Sequence, residues 1–116
     1  MADLLVDTDV FVDHLRGHRP LSLDGDRIHY SVITRAELFA GRETQEEPVR
    51  VLLAPFAEVA VDRAIAERGG RLRRELAIAL PDALVAATAL ERDLTLLTQN
   101  LKDFEAVPGL SVRSPA

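Results

Sequence analysis

The chain contains no cysteine and no tryptophan, one tyrosine and four phenylalanines. Without thiols there is no disulfide framework and no thiolate metal site, a composition that suits a reducing compartment. With so few rings there is no material for a platform on which successive bases stack, so reading of splayed bases by aromatic stacking is not expected. No long apolar run is present: the first, Leu4-Leu5-Val6, breaks at Asp7, and Met1-Ala2-Asp3 lacks the basic start of a signal peptide. Neither a membrane span nor a leader is predicted, and the chain is expected to be soluble and cytoplasmic. Basic charge is also short, with 14 Lys and Arg against 19 Asp and Glu and a net charge of -5. Affinity for phosphate backbones normally rests on a basic excess, so the sum argues against simple electrostatic binding of nucleic acid. An acidic pocket that holds a divalent cation escapes that argument, because the ion turns the local field positive.

What is present is one domain's worth of chain, 116 residues of which 47% are hydrophobic, enough for a core and too little for a second one. Leu4 to Val6 read as a strand buried on both faces, ending at Asp7-Thr8-Asp9. Asp9 is expected to cap a helix running to about Gly17, followed by a loop from His18 to Asp26 with a turn at Pro20, Asp24 and Gly25. Ile28 to Ile33 form a second strand. Thr34-Arg35-Ala36-Glu37 has the pattern of a capping box opening a helix to about Gly41. Pro48 to Leu53 form a further helix and Glu58 to Val61 a third strand.

Asp62 then caps a long helix whose apolar side is Ile65, Gly69, Leu72, Leu76 and Ala79, with Glu67–Arg71 and Arg71–Glu75 as i, i+4 pairs on the other face. Gly69-Gly70 inside it costs about 1 kcal/mol per glycine relative to alanine, which predicts a close backbone contact or a kink. Pro81-Asp82 start a helix that is apolar nearly all round from Ala83 to Leu90, the mark of a central element. Leu94 to Leu97 form the fourth strand, Lys102 to Phe104 a single turn, and Leu110 to Val112 a short edge strand. Strands alternating with helices make an α/β fold with a central, mainly parallel sheet of four to five strands.

Parallel strands collect their carboxyl ends on one rim, where open α/β sheets bind ligands. The candidates for that rim are Asp7 after strand one, Glu37 in the turn after strand two, Asp82 at the start of the central helix, and Asn100 and Asp103 after strand four. Each has a plain structural reading: a turn residue, a capping-box acid, a complement to a helix dipole, a solvated loop charge. If three carboxylates converge, each pair about 4 Å apart repels by about 1 kcal/mol in water and about 4 at an effective dielectric of 20. A domain is stable by only about 5 to 15 kcal/mol, so such a cluster calls for a cation. Hard oxygen donors select Mg²⁺ or Mn²⁺. His14, His18 and His29 have no ligand spacing and are assigned to surface or turns.

The runs Val6-Asp7-Thr8-Asp9-Val10, Ser31-Val32-Ile33-Thr34-Arg35-Ala36-Glu37-Leu38, Leu80-Pro81-Asp82-Ala83-Leu84-Val85-Ala86-Ala87-Thr88-Ala89 and Thr98-Gln99-Asn100-Leu101-Lys102-Asp103-Phe104 together resemble the PIN-domain family, closely so the VapC toxins of bacterial toxin-antitoxin pairs. The resemblance spans nearly the whole chain, in order. It implies a PIN-like three-layer sandwich over residues 1–116 and a Mg²⁺-dependent endoribonuclease, dimeric and inhibited by a VapB-type antitoxin. By the same resemblance Asp7 and Asp82 are the principal metal ligands, Glu37 helps hold the metal or its water, and Thr8 is the hydroxyl residue beside the first acid. Asn100 falls where many members carry a fourth acid, which lowers the charge of the site and assigns Asn100 to orienting water or substrate. Thr98, Asp103 and Arg35, with Lys102, are candidates for positioning the substrate backbone.

Three other readings remain open at this point. Asp7-Thr8-Asp9-Val10 also resembles the D-x-D motif of haloacid-dehalogenase phosphatases, which need a later lysine and acidic pair. Asp62, Thr98 and Lys102 suggest a phosphoacceptor receiver domain, although there Thr and Lys sit on successive strands. A PIN domain that binds RNA or protein without cleaving is the third.

Overall fold

The computed structural model describes residues 2–21 and 25–115. Five strands, β1 (Asp3–Val6), β2 (Arg27–Ser31), β3 (Ala57–Val59), β4 (Thr95–Leu97) and β5 (Val112–Arg113), form one sheet in the order β3-β2-β1-β4-β5. Every neighbouring pair is parallel. The first strand is therefore the central one, flanked by β2 and β4, as its unrelieved Leu4-Leu5-Val6 run requires.

Alternation along β1 divides the core. Leu5 faces the side covered by α4 (Arg63–Leu76), α5 (Leu80–Arg92) and α6 (Leu101–Phe104), packing with Ile65, Leu72, Ala86, Leu96 and Phe104. Leu4 and Val6 face α1 (Thr8–Leu15), α2 (Val32–Ala40) and α3 (Glu46–Leu53), packing with Val10, Phe11, Leu38 and Leu53. Two helical layers thus enclose the sheet, the three-layer arrangement expected. The Ala83 to Ala89 stretch of α5 is almost wholly buried, so that helix is central as its composition predicts.

Several boundaries differ from expectation for identifiable reasons. Asp7, not Asp9, caps α1: its backbone is extended and its side chain accepts from Thr8 N. The second strand stops at Ser31, whose hydroxyl accepts from Ile33 N and caps α2, so Val32 and Ile33 are helical despite their β-branched side chains. Thr34 is consequently inside the helix, and no capping box joins it to Glu37. The helix α4 ends at Leu76, with Ala77 left-handed at φ 55°, and Ala79 is extended rather than helical. Pro81 in the first turn of α5 explains the break, because a proline there starts a new helix without losing a needed donor. Neither Glu67–Arg71 nor Arg71–Glu75 closes; Arg68 instead reaches Glu91 on α5, and Asp62, the cap of α4, pairs with Arg92 at 2.9 Å. Exposed i, i+4 pairs are worth little, so losing them to contacts between helices is unsurprising. The expected turn at Asp24 lies outside the described residues.

The glycine pair resolves into two different positions. A Cβ on Gly69 would meet Leu84 Cδ2 at 2.6 Å and Leu84 Cα at 3.3 Å, whereas one on Gly70 would meet nothing within 4 Å. Gly69 is thus a point of close approach between α4 and α5. Gly69→Ala is expected to destabilise by about 1 to 3 kcal/mol through overpacking, while Gly70→Ala stabilises by up to about 1 kcal/mol. Urea unfolding of the two variants checks the contrast, and equal effects would remove the packing explanation.

Candidate active site

The strand order reverses between β1 and β4, since β2 and β3 are added on one side of β1 and β4 and β5 on the other, and this is the crevice at which open α/β sheets take ligands. Asp7 N donates to Leu97 O at 2.9 Å, carrying the β1–β4 pairing one residue past the strand. Asp7 is thereby locked at the rim and is 6% exposed. Its Oδ1 accepts from Thr8 N at 2.9 Å and its Oδ2 from the fully buried Thr98 hydroxyl at 2.8 Å.

Around it the acids are held by hydroxyls and amides. Thr8 Oγ1 lies 2.6 Å from Glu37 Oε1 and 3.0 Å from the hydroxyl of the fully buried Thr34. One proton serves Thr8, so the short contact orders the chain as Thr34 to Thr8 to Glu37. Glu37 is therefore not the helix-capping acid its spacing suggested: it leaves α2 to meet α1. Asp9, in the first turn of α1, accepts from Gln99 N at 3.2 and 3.4 Å and stands 3.3 Å from Thr98 Oγ1. Gln99 Nε2 reaches Asp13, one turn further along α1.

Asp82 sits half-buried in the first turn of α5. Asn100 and Asp103 are exposed on the exit of β4 and on α6, with Asn100 N donating to Thr98 Oγ1 at 3.1 Å and its side chain uncommitted. Arg35 is drawn elsewhere, to Glu58 on β3 and the Tyr30 hydroxyl. Of the other residues set aside from the sequence, Lys102 is exposed, and His14 Nδ1 accepts from Leu21 N, a loop contact. His29 sits half-buried in β2 rather than on the surface or in a turn.

Electrostatics binds the acids into one group. Burial raises the Asp7 carboxyl from its ordinary 3.8 to about 7, with Asp9 and then Asp82 adding charge repulsion against the hydrogen bonds from Thr98 and Thr8. Burial also raises Asp9, opposed chiefly by the Gln99 amide. Asp82 is raised by burial and by Asp103, Glu37 and Asp9. Among the described residues, burial, neighbouring acids and hydroxyl or amide donors dominate these three shifts, with no lysine or arginine prominent in any of them. Uncompensated acids of this kind fit a hard divalent cation by donor chemistry. The fit is one of charge and donor type rather than of a closed cage, since among the described residues no three His, Asp or Glu side chains stand in ligand geometry. Glu37 is exposed and Asp82 half-exposed, so both have room to turn toward an ion.

Asp9 is the residue that sequence reasoning placed wrongly, as a helix cap. The signal available was its spacing of four from Asp13, which puts both acids on one face of α1. Asp62, the acceptor required by the receiver reading, is spent on Ile65 N and Arg92, away from Asp7.

The fold and the rim of acids place the chain in a class: it belongs to the PIN-domain family, whose model matches residues 4–110. Within that family its similarity is to VapC proteins. It is 35% identical over 119 residues to ribonuclease VapC19 of Mycobacterium tuberculosis, covering 91% of this chain and 95% of that one. It is 37% identical over 127 residues to ribonuclease VapC10 of the same organism, covering 91% and 96%. Among solved structures, a toxin-antitoxin complex from Klebsiella pneumoniae superposes with a TM-score of 0.79 at 35% identity, over 98% of both chains. The DNA-bound VapBC of Salmonella typhimurium gives 0.78 at 26% identity over 100% of both.

The raised Asp7 makes a prediction for the metal-free protein. Below pH 3.8 folded and unfolded chains both carry its proton; between 3.8 and about 7 only the folded chain does. Stability therefore falls as pH rises through that window and levels above it. Asn at this position keeps an oxygen to accept from Thr8 N and offers an amide N–H to Thr98 Oγ1, without the charge. Asp7→Asn is expected to match wild type near pH 4 and to exceed it by about 2 to 4 kcal/mol at pH 8, at about 1.4 kcal/mol per unit. Urea unfolding in chelator at the two pH values decides it, a pH-independent difference counting against a strained Asp7.

Proposed function

We propose that this chain is a Mg²⁺-dependent endoribonuclease, a VapC-type toxin that hydrolyses RNA phosphodiester bonds in the cytoplasm, acts as a homodimer and is neutralised by a VapB-like antitoxin. Mn²⁺ is the expected substitute ion. The observation that carries the reading is the group of Asp7, Glu37 and Asp82 at the switch point, in which Asp82 repels Asp7 and Glu37 repels Asp82, with no basic partner among the described residues. Supporting it are the ribonuclease names of the relatives, among them the tRNA(fMet)-specific endonuclease VapC of Salmonella typhimurium, 30% identical over 111 residues, covering 86% of this chain and 83% of that one. Among the described residues no helix is long and apolar enough to cross a membrane.

Asp7 and Asp82 are the residues that would hold the ion, with Glu37 beside them. When bound, Mg²⁺ supplies an acidified water and stabilises charge on a phosphate oxygen. Glu37, its carboxylate aimed by the Thr8 hydroxyl, would orient an attacking water and accept a proton from it. Thr98 fixes the buried face of Asp7, leaving the carboxylate one committed orientation. Asn100, uncharged and with a free side chain, orients water or the substrate phosphate without adding to the repulsion, and Asp103 contributes at the edge through Asp82. Arg35, committed to Glu58 and Tyr30, supports β3 more directly than it supports substrate.

Antitoxin binding has a natural place. A groove of about 610 Å³ between α1, α2 and α3 is lined by Leu15, Arg16, Arg42 and Val49 and includes Glu37. A VapB-like segment lying there would contact an acid of the site while covering the groove.

Cleavage of RNA is expected with Mg²⁺ or Mn²⁺ and not in chelator. Asp7→Asn and Asp82→Asn are each expected to lower the rate by at least about 100-fold, on the order of 3 kcal/mol of barrier, with the melting transition retained. Activity persisting in either variant removes that residue from the ion site, and activity persisting in chelator removes the ion from the mechanism.

A further inference from the structure

The exit of β4 is three residues long, Thr98-Gln99-Asn100, and its backbone amides have one partner each. Thr98 N donates to Arg113 O on β5 at 3.0 Å, Asn100 N to Thr98 Oγ1, and Gln99 N only to Asp9, at 3.2 and 3.4 Å. The Gln99 side chain reaches Asp13 one turn further along the same face of α1. Two successive turns of the first helix therefore grip the backbone and the side chain of one residue, 90 and 86 positions away. A first-turn acid serving only the helix dipole needs no such contacts. Asn100 and α6 follow directly from the gripped residue, with no side-chain cap of their own.

We propose that Asp9 is a positioning residue: it clamps the exit of β4 onto α1 and thereby sets Asn100 and the α6 turn at the rim. The inference rests on the reading of the rim as a nuclease site for its effect on rate, but not for the clamp itself. What the clamp requires of Asp9 is an oxygen that accepts from Gln99 N. The clamp does not require its negative charge, whereas the ion site as read here requires that of Asp7.

Asp9→Ala removes the acceptor; Asp9→Asn keeps an oxygen and removes the charge. Amide hydrogen exchange of the metal-free protein reads the clamp without reference to activity. The Gln99 amide is expected to exchange at least about tenfold faster in Asp9→Ala, an opening free energy lower by about 1.4 kcal/mol, and within about threefold of wild type in Asp9→Asn. RNA cleavage is expected to follow the same order, slowed about tenfold in kcat with KM little changed in Asp9→Ala and restored in Asp9→Asn.

Unchanged exchange in Asp9→Ala overturns the proposal. So does an Asp9→Asn protein that keeps its protected amide yet cleaves as poorly as Asp9→Ala, since the charge is then what the site uses. Should Asp9→Ala fail to fold, the wild-type protein decides alone: a Gln99 amide exchanging at the unprotected rate overturns the clamp, and a protected one supports it. If the wild-type chain cleaves no RNA, the nuclease reading fails and the exchange measurements still decide the role of Asp9.

Discussion

The parallel pairing of β1 with β4 is the constraint on which the site depends. These strands are separated by most of the chain, yet Leu4, Leu5 and Val6 align with Thr95, Leu96 and Leu97. The register continues through Asp7 N to Leu97 O, which brings Thr98 level with Asp7 so that its hydroxyl meets the carboxylate. A one-residue slip would reverse the faces of Leu4, Leu5 and Val6 and take Thr98 out of reach. Burial of the strands and construction of the rim are thus the same event. The hydrophobic pattern that selects the register also selects which polar groups meet.

This explains which parts were legible in the residues. The alternation of strands and helices, the central position of Leu4 to Val6, the α5 core helix and the acids at Asp7, Glu37 and Asp82 all follow from local composition and from motif resemblance. Asp62 as a cap and the close contact at Gly69 were local as well. What local reading could not supply was the choice between two neighbours for the same polar atom. Thr34-x-x-Glu37 has the spacing of a capping box, but Ser31 lies three residues earlier in extended backbone and takes the cap. That frees Glu37 for Thr8, 29 positions away. Asp9 and Asp7 were exchanged for a similar reason. Either can cap a helix, and only the depth of β1 in the sheet decides that Asp7 is the extended residue.

The site also shows where folding and function oppose one another. A buried carboxyl raised to about 7 is a cost to the native state at neutral pH. The fold tolerates it because strands on both sides over-determine the position of Asp7 and because two large apolar clusters flank the sheet. Local rules that agree everywhere else are violated at the carboxyl ends of β1 and β4, the expected place for a functional violation.

The means by which the acids are held decides what they can bind. Thr8, Thr34 and Thr98 hold Glu37 and Asp7, while backbone amides of Thr8 and Gln99 hold Asp7 and Asp9. An arginine or lysine would fix these carboxylates more strongly, as Arg92 does for Asp62. It would also neutralise them and repel a cation. Hydroxyls and amides donate hydrogen bonds without adding a full positive charge, so they orient the carboxylates while leaving much of their negative potential in place. Arg35, Arg68 and Arg92 are instead directed to Glu58, Glu91 and Asp62 on other elements. In a chain with 13 arginines and one lysine, this separation of positioning from neutralisation is what leaves the rim its negative potential, the property on which the proposed ion site relies.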